Sequence, residues 1–170
     1  MLASVYGSGV FNFFKWLHIG VAIVGFGAVV LNGVYAAQAT KRDGAARTAV
    51  IEANHFVSTM GEYFIYAVFV LGFVLVGLSP KAGGKHLFEF SQTWVWLAIL
   101  LYLVAIAIAH AVLIPTQKKM ITVSKSIEGG GSAEQGAEFD GLAKKAAPFG
   151  AINDVLLFVI LYLMVFKPGL

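Results

Sequence analysis

WVWLAILLYLVAIAIAHAVLI, running from Trp94 to Ile114, is the stretch that decides the fold, because it carries no Lys, Arg, Asp or Glu from end to end. A bilayer core about 30 Å thick is crossed by about 20 apolar residues of helix at 1.5 Å rise each. This run meets that length and is followed by Pro115, which cannot donate the next helical hydrogen bond and is expected to close the helix.

Working outward, three further stretches qualify: about 17–37, approached through Phe11, Phe13, Phe14 and Trp16; about 56–78, uninterrupted from Tyr63; and about 149–166, with Pro148 expected in its first turn. The composition agrees. With 59% hydrophobic and 12% charged residues and a mean hydropathy of +0.82, the chain has too few polar side chains to cover a soluble domain of this size. A secretory signal peptide is the rival reading of the first span, since Val34-Tyr35-Ala36 resembles a cleavage site. The apolar run is too long for a signal core and no basic segment leads into it. The expectation is therefore an all-α, polytopic membrane four-helix bundle occupying residues 1–170 as a single domain.

Charge sets the expected orientation. Lys41, Arg42, Arg47, Lys118, Lys119, Lys125, Lys144 and Lys145 fall on one side of the spans, against Lys15, Lys81, Lys85 and Lys167 on the other. Cytoplasmic loops retain positive charge, so both termini are expected outside the cytoplasm of a bacterial inner membrane, with Trp16, Trp94 and Trp96 marking the outer interface. The net charge of +3 is thus topology, and no nucleic-acid partner is expected. The segment 117–147, rich in Gly, Ser, Glu and Gln over 124–141, reads as a flexible or briefly helical cytoplasmic connection. Its Gly129-Gly130-Gly131-Ser132 run lacks the preceding strand and following Lys-Ser/Thr of a phosphate cradle.

Chemistry-bearing residues are few. The absence of cysteine removes disulfides, thiolate metal sites, iron–sulfur ligation and a cysteine nucleophile. Ser58, Thr59 and Thr93 stand isolated, no Ser is framed as a nucleophile elbow, and no catalytic residue is assigned. Counted from the basic side, Asn32, Glu62, His110 and Asp154 lie at matched depth, roughly 6–9 Å into each span, one per helix. Glu52, His55, Thr59 and Glu62 share one stripe of the second helix. Intramembrane polar groups of this kind serve either as a structural network or as an ion or proton path, here through Glu62, His110 and Asp154. Haem b or a metal is the third reading, and depth restricts it. His18 and His110 are about 20 Å apart along the bundle, leaving His55 with His110 as the intramembrane pair and His18 with His86 on the outer side. Glu52-x-x-His55 is half of a di-iron bundle pattern whose second half is missing.

Without a hydrophobic drive in lipid, helices associate over small residues. Gly20 and Gly27 on the first helix and Ala98, Ala105 and Ala109 on the third are the expected packing faces. No cofactor is the first expectation. The partners expected are membrane lipids and a larger integral membrane complex, with this chain as a non-enzymatic accessory subunit. A transporter, one handling lipids, is the host expected ahead of a respiratory complex.

Three motifs carry a family resemblance: Lys15-Trp16-Leu17-His18-Ile19-Gly20 opening the first helix, Pro115 with the basic turn after it, and Leu163-Met164-Val165-Phe166-Lys167-Pro168 at the end. With these the chain resembles, over essentially its whole length, a bacterial domain-of-unknown-function family of small four-helix predicted integral membrane proteins. Around His18 it is also distantly similar to copper-resistance membrane domains and to the haem-linked protoporphyrinogen oxidase membrane family. That likeness implies a haem contact at His18 alone.

Overall fold

A computed structural model describes residues 8–130 and 132–169. Four long helices dominate it: α1, Gly9–Ala39; α2, Gly44–Gly77; α3, Thr93–Glu128; and α4, Ala133–Phe166. At 1.5 Å rise they are about 46–54 Å long, so each outruns a bilayer core of about 30 Å by several turns. All four have the length and hydropathy of membrane spans, yet only 11–22% of each most apolar window is buried within the chain. Most of the apolar surface therefore faces outward, where lipid or another membrane protein covers it. The helices form a ring in which α1 packs on α2, α2 on the basic half of α3, α3 on α4, and α4 more loosely on α1.

The α1–α2 crossing is set by glycine. A Cβ on Gly61 would meet the Ala28 Cβ at 2.5 Å, and one on Gly25 would meet Ile65 and Phe64 atoms at 3.1–3.2 Å. Gly20 and Gly27 do not form this contact; a Cβ on either has nothing within 4 Å. Spacing of seven does put them on one face, but the residues that reach α2 are Gly25 and Ala28, and the Gly20–Gly27 face turns outward. On α3, Ala98 and Ala105 are buried and Ala109 is half-buried. Ala98 joins Trp94, Val95, Ile160 and Leu163 in the core at the end bearing the termini. Trp94 thus belongs to the core rather than to an interfacial belt, while Trp16 and Trp96 are exposed.

At that same end a tight hairpin pairs β1, Lys81–Ala82, with β2, Lys85–His86. Gly83 and Gly84 supply the consecutive positive φ values that its two-residue turn requires.

Two prolines behave differently from expectation. Pro115 does not end the third helix. A π-turn over Ala109–Leu113, in which the Ile114 amide donates to the Ala109 carbonyl, resets the hydrogen-bond ladder, and the helix runs on through Ile114–Glu128. Pro148 lies inside α4 rather than at its start. That start is Ser132, whose side chain accepts from the Gln135 amide while Gln135 Oε1 accepts from the Ser132 amide, a complete capping box.

The 117–147 connection is consequently an ordered helical hairpin, broken only between Glu128 and Ala133; Gly131, in the run considered above as a phosphate cradle, lies outside the described residues. It is ordered because it has a core of its own. Ala39, Ile51, Val123 and Phe139 pack together beyond the apolar spans, with Phe139 fully buried. The Arg47 guanidinium lies 4.8 Å from the Phe139 ring centre, and Thr48 and Ser124 hydroxyls share a buried 2.8 Å hydrogen bond between α2 and α3.

Candidate functional site: polar clusters along the α2–α3 seam

The residues expected at one depth fall into two clusters and an outlier. In the deeper cluster, His110 Nε2 lies 3.0 Å from Glu62 Oε1 and 2.9 Å from the Tyr66 hydroxyl, and Tyr66 donates to Glu62. The α3 π-turn holds His110 in place, and Tyr66 sits one turn from Glu62 on α2. His110 Nδ1 lies 3.0 Å from the Ile106 carbonyl, which can only accept, so Nδ1 carries hydrogen. The single Tyr66 hydrogen goes to Glu62. A hydrogen bond between Nε2 and Oε1 requires a proton on one of the two atoms. Imidazolium–carboxylate and imidazole–carboxylic acid are the two forms that satisfy it, and both are net neutral. The side chains of His110 and Glu62 are 46% and 29% exposed, so this contact is open to the outside of the bundle.

The second cluster ties three helices together. Ser58 Oγ donates to Asn32 Oδ1 at 2.6 Å, Gln117 Nε2 reaches Ser58 Oγ at 3.5 Å, and His55 Nδ1 donates to Gln117 Oε1 at 3.3 Å. Asn32 is therefore a structural crosslink between α1 and α2, apart from Glu62 and His110. Asp154 joins neither cluster and has no hydrogen bond or ion pair among the described residues. Its neighbour Asn153 takes the inward position, buried with Oδ1 unpartnered, because a one-residue step on a helix rotates the side chain by about 100°.

The two imidazoles named as a haem or metal pair have different partners. His55 and Glu62 are seven residues apart on α2, about 10 Å of rise, and His110 is at Glu62 while His55 is at Gln117. A metal bound by both would need nitrogens within about 4 Å, twice a metal–nitrogen bond of about 2 Å. His18 is half-buried against α2, its ring 3.6 Å from a Cβ placed on Gly72 and its Nδ1 unpartnered. His86 is exposed, with Nδ1 bonded to the Ser79 carbonyl at 3.0 Å. Among the described residues no group of three or more His, Asp or Glu converges as a metal site.

Towards the basic end the seam opens into a groove of about 490 Å³ between α2 and α3, bordered by Glu52, His55 and Thr59 on one side and Lys118 and Lys125 on the other. Lys125 Nζ lies 2.6 Å from Glu52 Oε1. That hydrogen bond and the Glu52 charge raise the Lys125 pKa above the ordinary lysine value. The groove contains the Glu52–His55–Thr59 part of the stripe seen in the sequence. Ser58, Tyr66 and Gln117 were absent from that reading, although Tyr66 stands at the i+4 position of Glu62, where side chains on a helix meet.

A polytopic bundle of four candidate spans with a helical extension at its basic end defines an integral membrane protein. The chain belongs to the family described as predicted integral membrane protein (DUF2269), whose model matches residues 12–168. This supports the first resemblance drawn from the sequence and not the likeness to copper-resistance domains. No match is found among curated proteins or among solved structures.

Proposed function

We propose that the protein is a non-enzymatic accessory subunit that docks laterally on a larger bacterial inner-membrane assembly and stabilises it, with a transporter, one handling lipids, as the host. The observation that carries this reading is the outward Gly20–Gly27 face. A Cβ on either glycine would meet nothing within 4 Å among the described residues. Gly27 opens onto a groove of about 400 Å³ between α1 and α4, walled by Val30, Leu31, Leu157, Phe158 and Leu161. Small residues beside an apolar groove let a foreign transmembrane helix approach to backbone distance, which is the main source of helix affinity in lipid. The occupant is one helix of the host protein. Purification in mild detergent should yield a larger membrane protein with the wild type and lose it with Gly20→Leu/Gly27→Leu, whose side chains enter open space in the free bundle. A lone monomer, together with a deletion strain in which every membrane complex stays intact, would end this account.

A second reading, proton exchange, is favoured by the contacts among Glu62, Tyr66 and His110. It calls for a proton flux in liposomes that Glu62→Gln abolishes, and unchanged flux would remove Glu62 as carrier.

A further inference from the structure

The groove at the basic end of the α2–α3 seam is not used by either reading above, and it lies on the opposite side of the ring from the α1–α4 groove. Its position, charge and shape point to one kind of ligand.

The position is the edge of the membrane. Phe56 begins the apolar run of α2, and Lys118 follows the apolar run of α3 by one turn. Glu52 and Lys125 sit about one to two turns further out. This is the level at which lipid phosphates lie.

The charge is cationic. Glu52 is the one carboxylate lining the groove beside Lys118 and Lys125; Lys125 is paired with it and also feels the charge of Glu128, and Lys118 has no ion pair among the described residues. His55 has spent its Nδ1 hydrogen on Gln117, so Nε2 is left as an acceptor suited to a headgroup hydroxyl, and the exposed Thr59 hydroxyl stands one turn below.

The shape adds an apolar track. Phe56 and Ile121 line the groove, and Phe56, Met60 and Tyr63 continue down α2 at helical spacing with 68%, 46% and 67% of their surface exposed. Soluble phosphate would use the lysines and leave this track empty. A phospholipid would use both.

We propose that this groove binds an anionic phospholipid, its phosphate held by Lys118 and Lys125 with the Thr59 hydroxyl beside it, a headgroup hydroxyl donating to His55 Nε2, and an acyl chain lying along Phe56, Met60 and Tyr63. Binding loosens the Glu52–Lys125 pair, so the lysine exchanges one anionic partner for another and stays charged throughout.

The test is titration of the full chain, held in phosphatidylcholine nanodiscs, with phosphatidylglycerol, bound lipid being counted by native mass spectrometry. Lys118→Gln/Lys125→Gln should weaken phosphatidylglycerol retention roughly 30-fold, which corresponds to about 1 kcal/mol per lysine near a membrane surface. Lys118→Arg/Lys125→Arg should retain the lipid, as should Lys144→Gln/Lys145→Gln, which removes the same charge from exposed positions outside the groove. All four lysines are exposed, so the helical content of each variant should match the wild type. Three results would overturn the proposal: undiminished retention by Lys118→Gln/Lys125→Gln; an equal loss from Lys144→Gln/Lys145→Gln, which would mean diffuse surface charge; or displacement of the lipid by equimolar inorganic phosphate or glycerol phosphate, which would mean a site for soluble phosphate.

Discussion

Gly61→Ala is the sharpest perturbation of the bundle. The added methyl would stand 2.5 Å from the Ala28 Cβ, with the next atoms of α1 at 3.9 Å. Carbon atoms rest at about 3.5–4.0 Å, so the contact is short by about 1–1.5 Å. No rotamer relieves a Cβ–Cβ clash, and α1 and α2 must part. Overpacking of this kind costs about 1–3 kcal/mol, while exchanging Gly for Ala in a helix returns about 0.8–1.0 kcal/mol. Gly20→Ala and Gly27→Ala carry the second effect without the first, because nothing lies within 4 Å of either position. Denaturant titration in micelles should therefore place Gly61→Ala about 1–3 kcal/mol below these two controls. Adding Ala28→Gly to Gly61→Ala removes the opposing methyl and, measured against Ala28→Gly alone so that the roughly 0.8–1.0 kcal/mol helix cost of that glycine cancels, should abolish the penalty of Gly61→Ala, a coupling of the size that residues in contact show. Equal stability of Gly61→Ala and Gly20→Ala would refute the reasoning, as would an undiminished penalty of Gly61→Ala in the Ala28→Gly background.

Three further outcomes are expected. Phe139→Ala empties a fully buried site in the basic-end core and should cost about 3–5 kcal/mol; hydrogen exchange should rise first over residues 44–55 and 133–147, ahead of the spans. Ser132→Ala removes the capping-box acceptor and should cost about 1 kcal/mol, seen as lost amide protection in the first turn of α4 with the rest of the helix unchanged. The Glu52–Lys125 pair contributes fully below the ordinary lysine pKa and is lost as pH rises through the raised folded value, because Lys125 is held protonated by Glu52; Glu52→Gln should lower the Lys125 midpoint in a side-chain NMR titration and leave Lys125 protonated at neutral pH.

Much of this architecture is legible in apolar runs alone, because crossing lipid imposes a length and forbids charge. What lay hidden depended on contacts between runs. Pro115 lacks an amide hydrogen, but a π-turn five residues long absorbs the defect, and nothing local to the proline announces it. The start of α4 was legible: Ser132-Ala133-Glu134-Gln135 is a capping-box sequence, masked by the Gly-rich run before it. So was the helix after Pro115, where Met120, Ile121, Val123 and Ile127 make a short apolar stripe. Which glycines pack was not legible, since seven-residue spacing selects a face of α1 without saying which face meets α2. Depth matching brought Glu62 and His110 to one place but could not separate them from Asn32 and Asp154, because depth carries no information about rotation around each helix axis.

The central claim is that α1 offers its Gly20–Gly27 face to another protein. A photo-crosslinking residue at Ile23, 69% exposed and between the two glycines on that face, tests it in native membranes against the same probe at Val70, 61% exposed on α2. One discrete adduct with a larger membrane protein from Ile23, and lipid adducts alone from Val70, is the predicted result. Lipid adducts alone from both positions, or an Ile23 adduct with a second copy of this chain, would contradict it.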